Sequence, residues 1–255
     1  MRIKSFIVCI LFTISVISVN GQLVYHDVSG FPLLGKATQQ TETLYERLPD
    51  TLKGKVRESV WKLGKNSTGL SLRFRTNSTA IGAKWTVLYN NKMSHITDVN
   101  VKGLDLYCLV DGKWRFVNIA HPKGKENEAR IISDMKPEER EYMLYLSLSD
   151  CVTSLEIGIG PAAEILQPQV ELPSRTNPVI CYGSSIQQGI SASRPGMAHV
   201  SILSRWFNRE FINIGFSGNA KLDYEIADVM AGVENAALFI LDFVPNSSVE
   251  EIRVR

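Results

Sequence analysis

Three short stretches in the last third of the chain carry residue types that could do chemistry together. The first is Gly183-Ser184-Ser185, where an apolar run (NPVICYG) stops and presents two serines. The second is Ser217-Gly218-Asn219 after the run EFINIGF, and the third is Pro245-Asn246 after AALFILDF. A serine held between a strand end and a helix is a place for a nucleophile, and also for an ordinary turn. All three apolar runs end in small or amide residues rather than bulky ones, which describes a shaped polar pocket. Gly218 as a plain strand-to-helix turn and Asn246 as a helix N-cap are the competing structural readings. Against the second, Ser248 and Glu251 form a capping box by themselves.

The elements that must position these residues follow from periodicity. Between the first two runs, Met197, Val200, Leu203 and Phe207 recur at helical spacing, with Pro195 as the first helical turn. Leu222, Ile226, Val229, Met230 and Val233 do so between the second and third. Strand–helix–strand–helix–strand implies parallel pairing with right-handed crossovers. Ligands of such sheets sit at the carboxyl ends of the strands, where all three stretches lie.

The grammar upstream is different. From about Leu70 to Gly160 the period is two: Leu70, Leu72 and Phe74 form one row, Leu144, Leu146 and Leu148 another, and Leu155, Ile157 and Ile159 a third. LDLYCLV and KWRFVNIA flank Asp111-Gly112, a tight-hairpin signal. Short alternating strands without long helical patterns imply an antiparallel β-sandwich. The expected fold is therefore α+β in two domains: a sandwich over 22–166, a proline-rich linker over 167–177, and a partial flavodoxin-like parallel α/β domain over 178–255.

Arg2 and Lys4 precede an apolar run from Phe6 to Val19, followed by small residues before Gln22. That is the pattern of a signal peptide over 1–21, cleaved near Gly21/Gln22, so the expected product is exported to the periplasm or secreted, without stable membrane insertion. At 255 residues and 44% apolar composition the chain can bury full cores, and a formal charge of +2 gives no reason to expect nucleic acid as a partner. Cys108, Cys151 and Cys181 sit in apolar runs and read as buried free thiols, with one disulfide possible but unassignable. His26, His95, His121 and His199 are scattered without ligand spacing, so no metal and no cofactor is expected.

Gly183-Ser184-Ser185-Ile186, Gly218 in IGFSGN and Asn246 in LDFVPN resemble the first three sequence blocks of SGNH (GDSL-like) hydrolases. Gly103-Leu104-Asp105-Leu106-Tyr107 is similar to the GxDLY motif of the domain fused upstream in one branch of that family. The resemblance implies hydrolysis of an ester, acetyl or other acyl esters of carbohydrates among them, on a small-molecule or polysaccharide substrate. It implies Ser185 as nucleophile, with the Ser185 and Gly218 backbone amides and the Asn246 side-chain amide as oxyanion donors. Ser184 replaces the aspartate of the GDS form, and Asp105 and Tyr107 are read as sandwich residues without chemistry.

One part of the family pattern has no counterpart here. The base of such enzymes is a histidine three residues after an aspartate, and only His199 follows Ser185, early in a helix and without that aspartate. His199 reads as a surface helix residue. The expectation is an incomplete hydrolase domain, shortened by truncation or an early stop; if its strands are ordered second–first–third, AALFILDF becomes an apolar open edge. The rival class is a secreted carbohydrate-binding sandwich with a vestigial hydrolase remnant. A nucleotide-binding α/β domain is a weaker third, since the 183–189 loop lacks the glycine patterns it needs.

Overall fold

The computed structural model describes residues 21–171 and 173–254; the signal-peptide reading falls on residues outside this range, apart from Gly21. Ten strands form two antiparallel sheets. One sheet runs β1 (Val24–Asp27), β9 (Val152–Ile159), β4 (Ile81–Val87), β7 (Glu126–Ile132). The other runs β10 (Ile165–Leu166), β3 (Ser71–Thr76), β8 (Arg140–Tyr145), β5 (Leu104–Val110), β6 (Lys113–Ala120), with β2 (Leu33–Leu34) also on β3. The period-two rows do what alternation demands. Leu70, Leu72, Phe74, Leu144, Leu146 and Ile157 are fully buried in one core shared by both sheets, with Trp85 among them. The β5–β6 hairpin turns at Asp111 (φ 50°) and Gly112 (φ 70°), the left-handed pair that a two-residue hairpin requires.

Three parallel strands follow: β11 (Arg175–Gly183), β12 (Arg209–Gly215) and β13 (Leu238–Asp242), in the order β12–β11–β13. In chain order this is second–first–third, the arrangement that leaves the third strand at an edge. Strand β11 begins at Arg175, three residues before the expected domain start, because Arg175 already pairs with Arg209. Helix α4 (His199–Phe207) covers one face of this sheet, where Val200 meets Val179, Cys181 and Phe211. Pro195 opens a separate 3-10 turn (Pro195–Met197) rather than the helix itself, and α4 starts two residues later.

The opposite face is covered from two directions. Helix α5 (Tyr224–Ala231) contributes Ile226 and Met230. The other cover comes from residues that the sequence places in the sandwich domain: Leu48, Leu52, Val56 and, from α1 (Glu58–Gly64), Val60 pack on Ile180, Tyr182, Ile212 and Ile214. These residues have no strand period. Their apolar side chains face the parallel sheet and tie the two units together. Helix α2 (Asp98–Lys102), capped by Thr97, bonds to both: its Lys102 carbonyl accepts from Trp85 Nε1, and Asn100 donates to the Gly189 and Ala192 carbonyls.

Beyond β13 no further strand is paired among the described residues, and Leu238, Phe239 and Leu241 are 54%, 45% and 53% exposed. The chain then makes a 3-10 turn (Val244–Asn246) and α6 (Val249–Val254). Cys108, Cys151 and Cys181 are buried free thiols, as expected, and burial pushes the Cys151 and Cys181 thiols up to about 12. Among the described residues no helix is long and apolar enough to cross a membrane.

Candidate active site

The three parallel strands end level with one another: Gly183 lies opposite Gly215 on one side and Asp242 on the other. Ser185, Gly218 and Asn246 come two, three and four residues past this line, so all three belong to the loops at the carboxyl edge. The short helix α3 (Ser185–Gln188) lies directly on the strand ends. A Cβ on Gly215 would stand 2.4 Å from the Gln188 amide nitrogen, so only glycine lets α3 come this close.

The two serines have different surroundings. Ser184 is buried and caps α3: its Oγ accepts from the Ile186 amide at 3.3 Å and donates to Asp242 Oδ2 at 3.1 Å. Its own amide donates to the Asp242 carbonyl at 2.9 Å. Ser184 is thus fixed between the cap and β13. Ser185 is the first helical residue, half-buried, and is not the cap. The structural work that could have claimed either serine falls to Ser184.

Gly218 is exposed at φ +68°, with open space where a side chain would be. Its loop is clamped on both flanks. Ser217 donates its amide to Gln188 Oε1 at 2.8 Å, and the Gln188 Nε2 donates to the Leu148 carbonyl of the antiparallel unit. Asn219 accepts from Ser59 and from Arg57, while Arg57 also forks onto the Asp223 carboxylate at 2.8 Å by two nitrogens. Asn246 reaches the same loop, its Oδ1 accepting from the Ala220 amide at 3.3 Å, and Ser247 Oγ donates to the Ala220 carbonyl. With Oδ1 turned onto Ala220, the planar carboxamide directs its Nδ2 donors elsewhere. Ser248 and Glu251 cap α6 reciprocally, so Asn246 is not the N-cap.

His199 lies on the exposed side of α4, its Nε2 3.3 Å from Gln187 Oε1. Gln187 is two residues past Ser185 on α3, and residues at that spacing point to different sides of a helix. Desolvation holds the His199 imidazole below its usual value, with Asp242 opposing.

Several residues that position this edge do not read as site residues in the sequence. Arg47 is fully buried and donates to the carbonyls of Asn213, Gly215, Asn66 and Leu63, with its guanidinium 5.2 Å from the Phe216 ring centre. Burial lowers it to about 9. It fixes the end of β12 to the 45–66 segment. Asp105 and Tyr107, read from the sequence as residues without chemistry, hold the loop after α3. Asp105 Oδ2 accepts from the Gly196 amide at 2.9 Å and pairs with Arg194 at 3.2 Å. A Cβ on Gly196 would strike Tyr107 and Asp105 at 2.5 and 2.7 Å. Asn100 donates to the Gly189 and Ala192 carbonyls of the same loop.

Two loops clamped onto the carboxyl edge of a parallel sheet, with a fused antiparallel unit holding them, are the arrangement to be compared with known proteins. The chain matches the GxDLY N-terminal region of SGNH-hydrolase-type esterases over residues 23–165 and the GDSL-like lipase/acylhydrolase family over 176–255, and it belongs to this family. It is 41% identical to a solved protein of Bacteroides ovatus ATCC 8483 assigned as a GDSL-like lipase, with a TM-score of 0.86 over 92% of this chain and 68% of that one. A salicylyl-acyltransferase from a tetracycline biosynthetic pathway shares the fold at 13% identity, with a TM-score of 0.66 over 88% of this chain and 62% of that one. No curated protein matches the chain.

Proposed function

We propose that the protein is an exported serine ester hydrolase acting on acyl esters of carbohydrates, with Ser185 as nucleophile. The Ser185 and Gly218 amides and the Asn246 Nδ2 group are its oxyanion donors. The observation that carries this reading is the convergence at one sheet edge: Ser184 takes the capping role beside Ser185, and Asn246 is bonded to the Gly218 loop. Attack by Ser185 Oγ on the ester carbonyl moves its electron pair onto the carbonyl oxygen. Amides aimed at that oxygen stabilise the charge, each donor being worth about 10²–10³ in rate.

A serine hydroxyl needs a base to take its proton. Within these 255 residues the one histidine after Ser185 contacts Gln187. The rival reading is a carbohydrate-binding sandwich beside a hydrolase unit that does not turn over. Hydrolysis of p-nitrophenyl acetate separates the two when measured for residues 22–255 alone and joined to the C-terminal part of the 41% identical relative. The expected result is little turnover alone and turnover abolished by Ser185→Ala in the joined form. A joined protein that folds and stays inactive overturns the hydrolase reading. Ser185-dependent turnover by the chain alone assigns the base to another group, with His199→Ala the first variant to measure.

A further inference from the structure

Beside the Gly218 loop lies a cavity of about 410 Å³ whose walls come from both units. Ser217 and Asn219, the two neighbours of Gly218, and Ile190 beyond α3 form one wall. The other is built by residues outside the parallel sheet: Leu63 of α1, and Tyr89 and Met93 from the loop after β4. Its size lies within the range of small-molecule sites, which are mostly apolar with few polar groups.

The chemistry of the wall narrows what fits. Several of its polar side chains are already engaged: Asn91 Nδ2 donates to the Ser149 carbonyl, both ends of the Gln188 amide are bonded, and Asn219 is held by Ser59 and Arg57. Lys62 at the rim is paired with Glu58 at 2.7 Å. The buried Ser149 hydroxyl has no hydrogen-bond partner among the described residues. What remains accessible is apolar: the Tyr89 ring, 42% exposed, with half-buried Met93, Leu63 and Ile190. A polyol would find few open partners on a wall this apolar, the Tyr89 and Ser217 hydroxyls and the Asn66 amide among them, and a carboxylate would meet a lysine already paired.

We infer that this cavity, which the antiparallel unit completes, takes an uncharged apolar group about one ring in size from the ester. Tyr89 and Met93 set that specificity. The inference rests on the esterase reading for what enters the cavity, but the cavity itself can be tested by binding alone.

The test uses the 22–255 chain with three probes: methyl benzoate (ring on the acyl side), phenyl acetate (ring on the alcohol side) and methyl 6-O-acetyl-glucopyranoside. Titrations followed by amide NMR shifts give both affinity and location. At least one aryl ester should saturate with shifts at Tyr89, Met93, Ile190 and Ser217. Tyr89→Ala and Met93→Ser should each weaken it by about tenfold or more, and which aryl ester binds assigns the side of the ester.

Tighter binding of the sugar acetate at these residues overturns the inference. Aryl-ester shifts that map elsewhere, or variants that bind as the parent does, also overturn it. Aryl binding in the cavity together with an inactive joined protein removes the esterase reading and leaves the cavity standing. Ser185-dependent hydrolysis with no aryl binding at Tyr89 removes the cavity and leaves the esterase.

Discussion

Adjacent serines illustrate how far residue types alone can be read. The sequence shows two hydroxyls where a strand ends, but it does not show that Ser184 would cap α3 and bond Asp242. Asp242 itself gave no signal, because its role depends on β13 lying beside β11. The division of labour has a stability signature. Ser184→Ala should cost about 1 kcal/mol in urea denaturation, the usual worth of an N-cap, whereas Ser185→Ala should stay within about 0.5 kcal/mol. Equal losses would mean that Ser185 is structural. Gly218→Ala meets no neighbour but forces φ +68° on a residue with a side chain, so it should destabilise by about 1–2 kcal/mol without a packing clash. In a form that turns over, Asn246→Ala should lower kcat by about 10²–10³ if its amide serves the oxyanion.

At the scale of elements, strands with a clean period were legible and the contacts between units were not. Leu70, Leu72 and Phe74 announce β3, and IGFSGN announces the end of β12, because alternation and abrupt polarity changes are local. The residues 45–64 that cover the parallel sheet have no such period, and Arg47 becomes intelligible only when five backbone and side-chain partners are brought around it by the fold. Asp105 is the clearest case. It reads as one polar position in an alternating strand, yet it is fully buried against Gly196, Arg194, Tyr107 and, further off, Arg205, with Oδ1 unpartnered.

Burial outweighs those partners and pushes the Asp105 carboxyl up to about 6 from 3.8. A carboxyl raised in the folded state stabilises the protein below its unfolded value and loses that contribution as pH rises through about 6. The loss is at most about 3 kcal/mol, because a tenfold change in proton affinity is worth roughly 1.4 kcal/mol. Exposed carboxylates such as Glu42 act in the opposite sense, so the informative quantity is a difference. Parent stability minus that of Asp105→Asn should fall between about pH 3.5 and 6.5, a window that runs from the unfolded value to the raised one. A flat difference would show that Asp105 stays ionised throughout.

For the whole molecule, the decisive feature is the outer side of β13. Right-handed crossovers imply parallel strands, and the structure orders them second–first–third, with one helix on each face. From that order the apolar third strand had to become an edge. The structure places Leu238, Phe239 and Leu241 there at about half exposure. Apolar clefts border both faces: Met230 and Phe239 line one of about 320 Å³, and Leu203 and Ile240 line another of about 300 Å³. An open row of backbone donors and acceptors flanked by apolar side chains is a template for pairing with another chain. The 22–255 polypeptide should therefore self-associate with increasing concentration, as read by light scattering or sedimentation velocity. Leu238→Lys and Leu241→Lys together put one charge on each face of the exposed strand and should suppress that association. Leu238 and Leu241 are not in either shared core cluster of the parallel unit, so melting temperature should change little. A monomeric parent at high concentration, or association unchanged by the paired lysines, would show that β13 is not the adhesive edge.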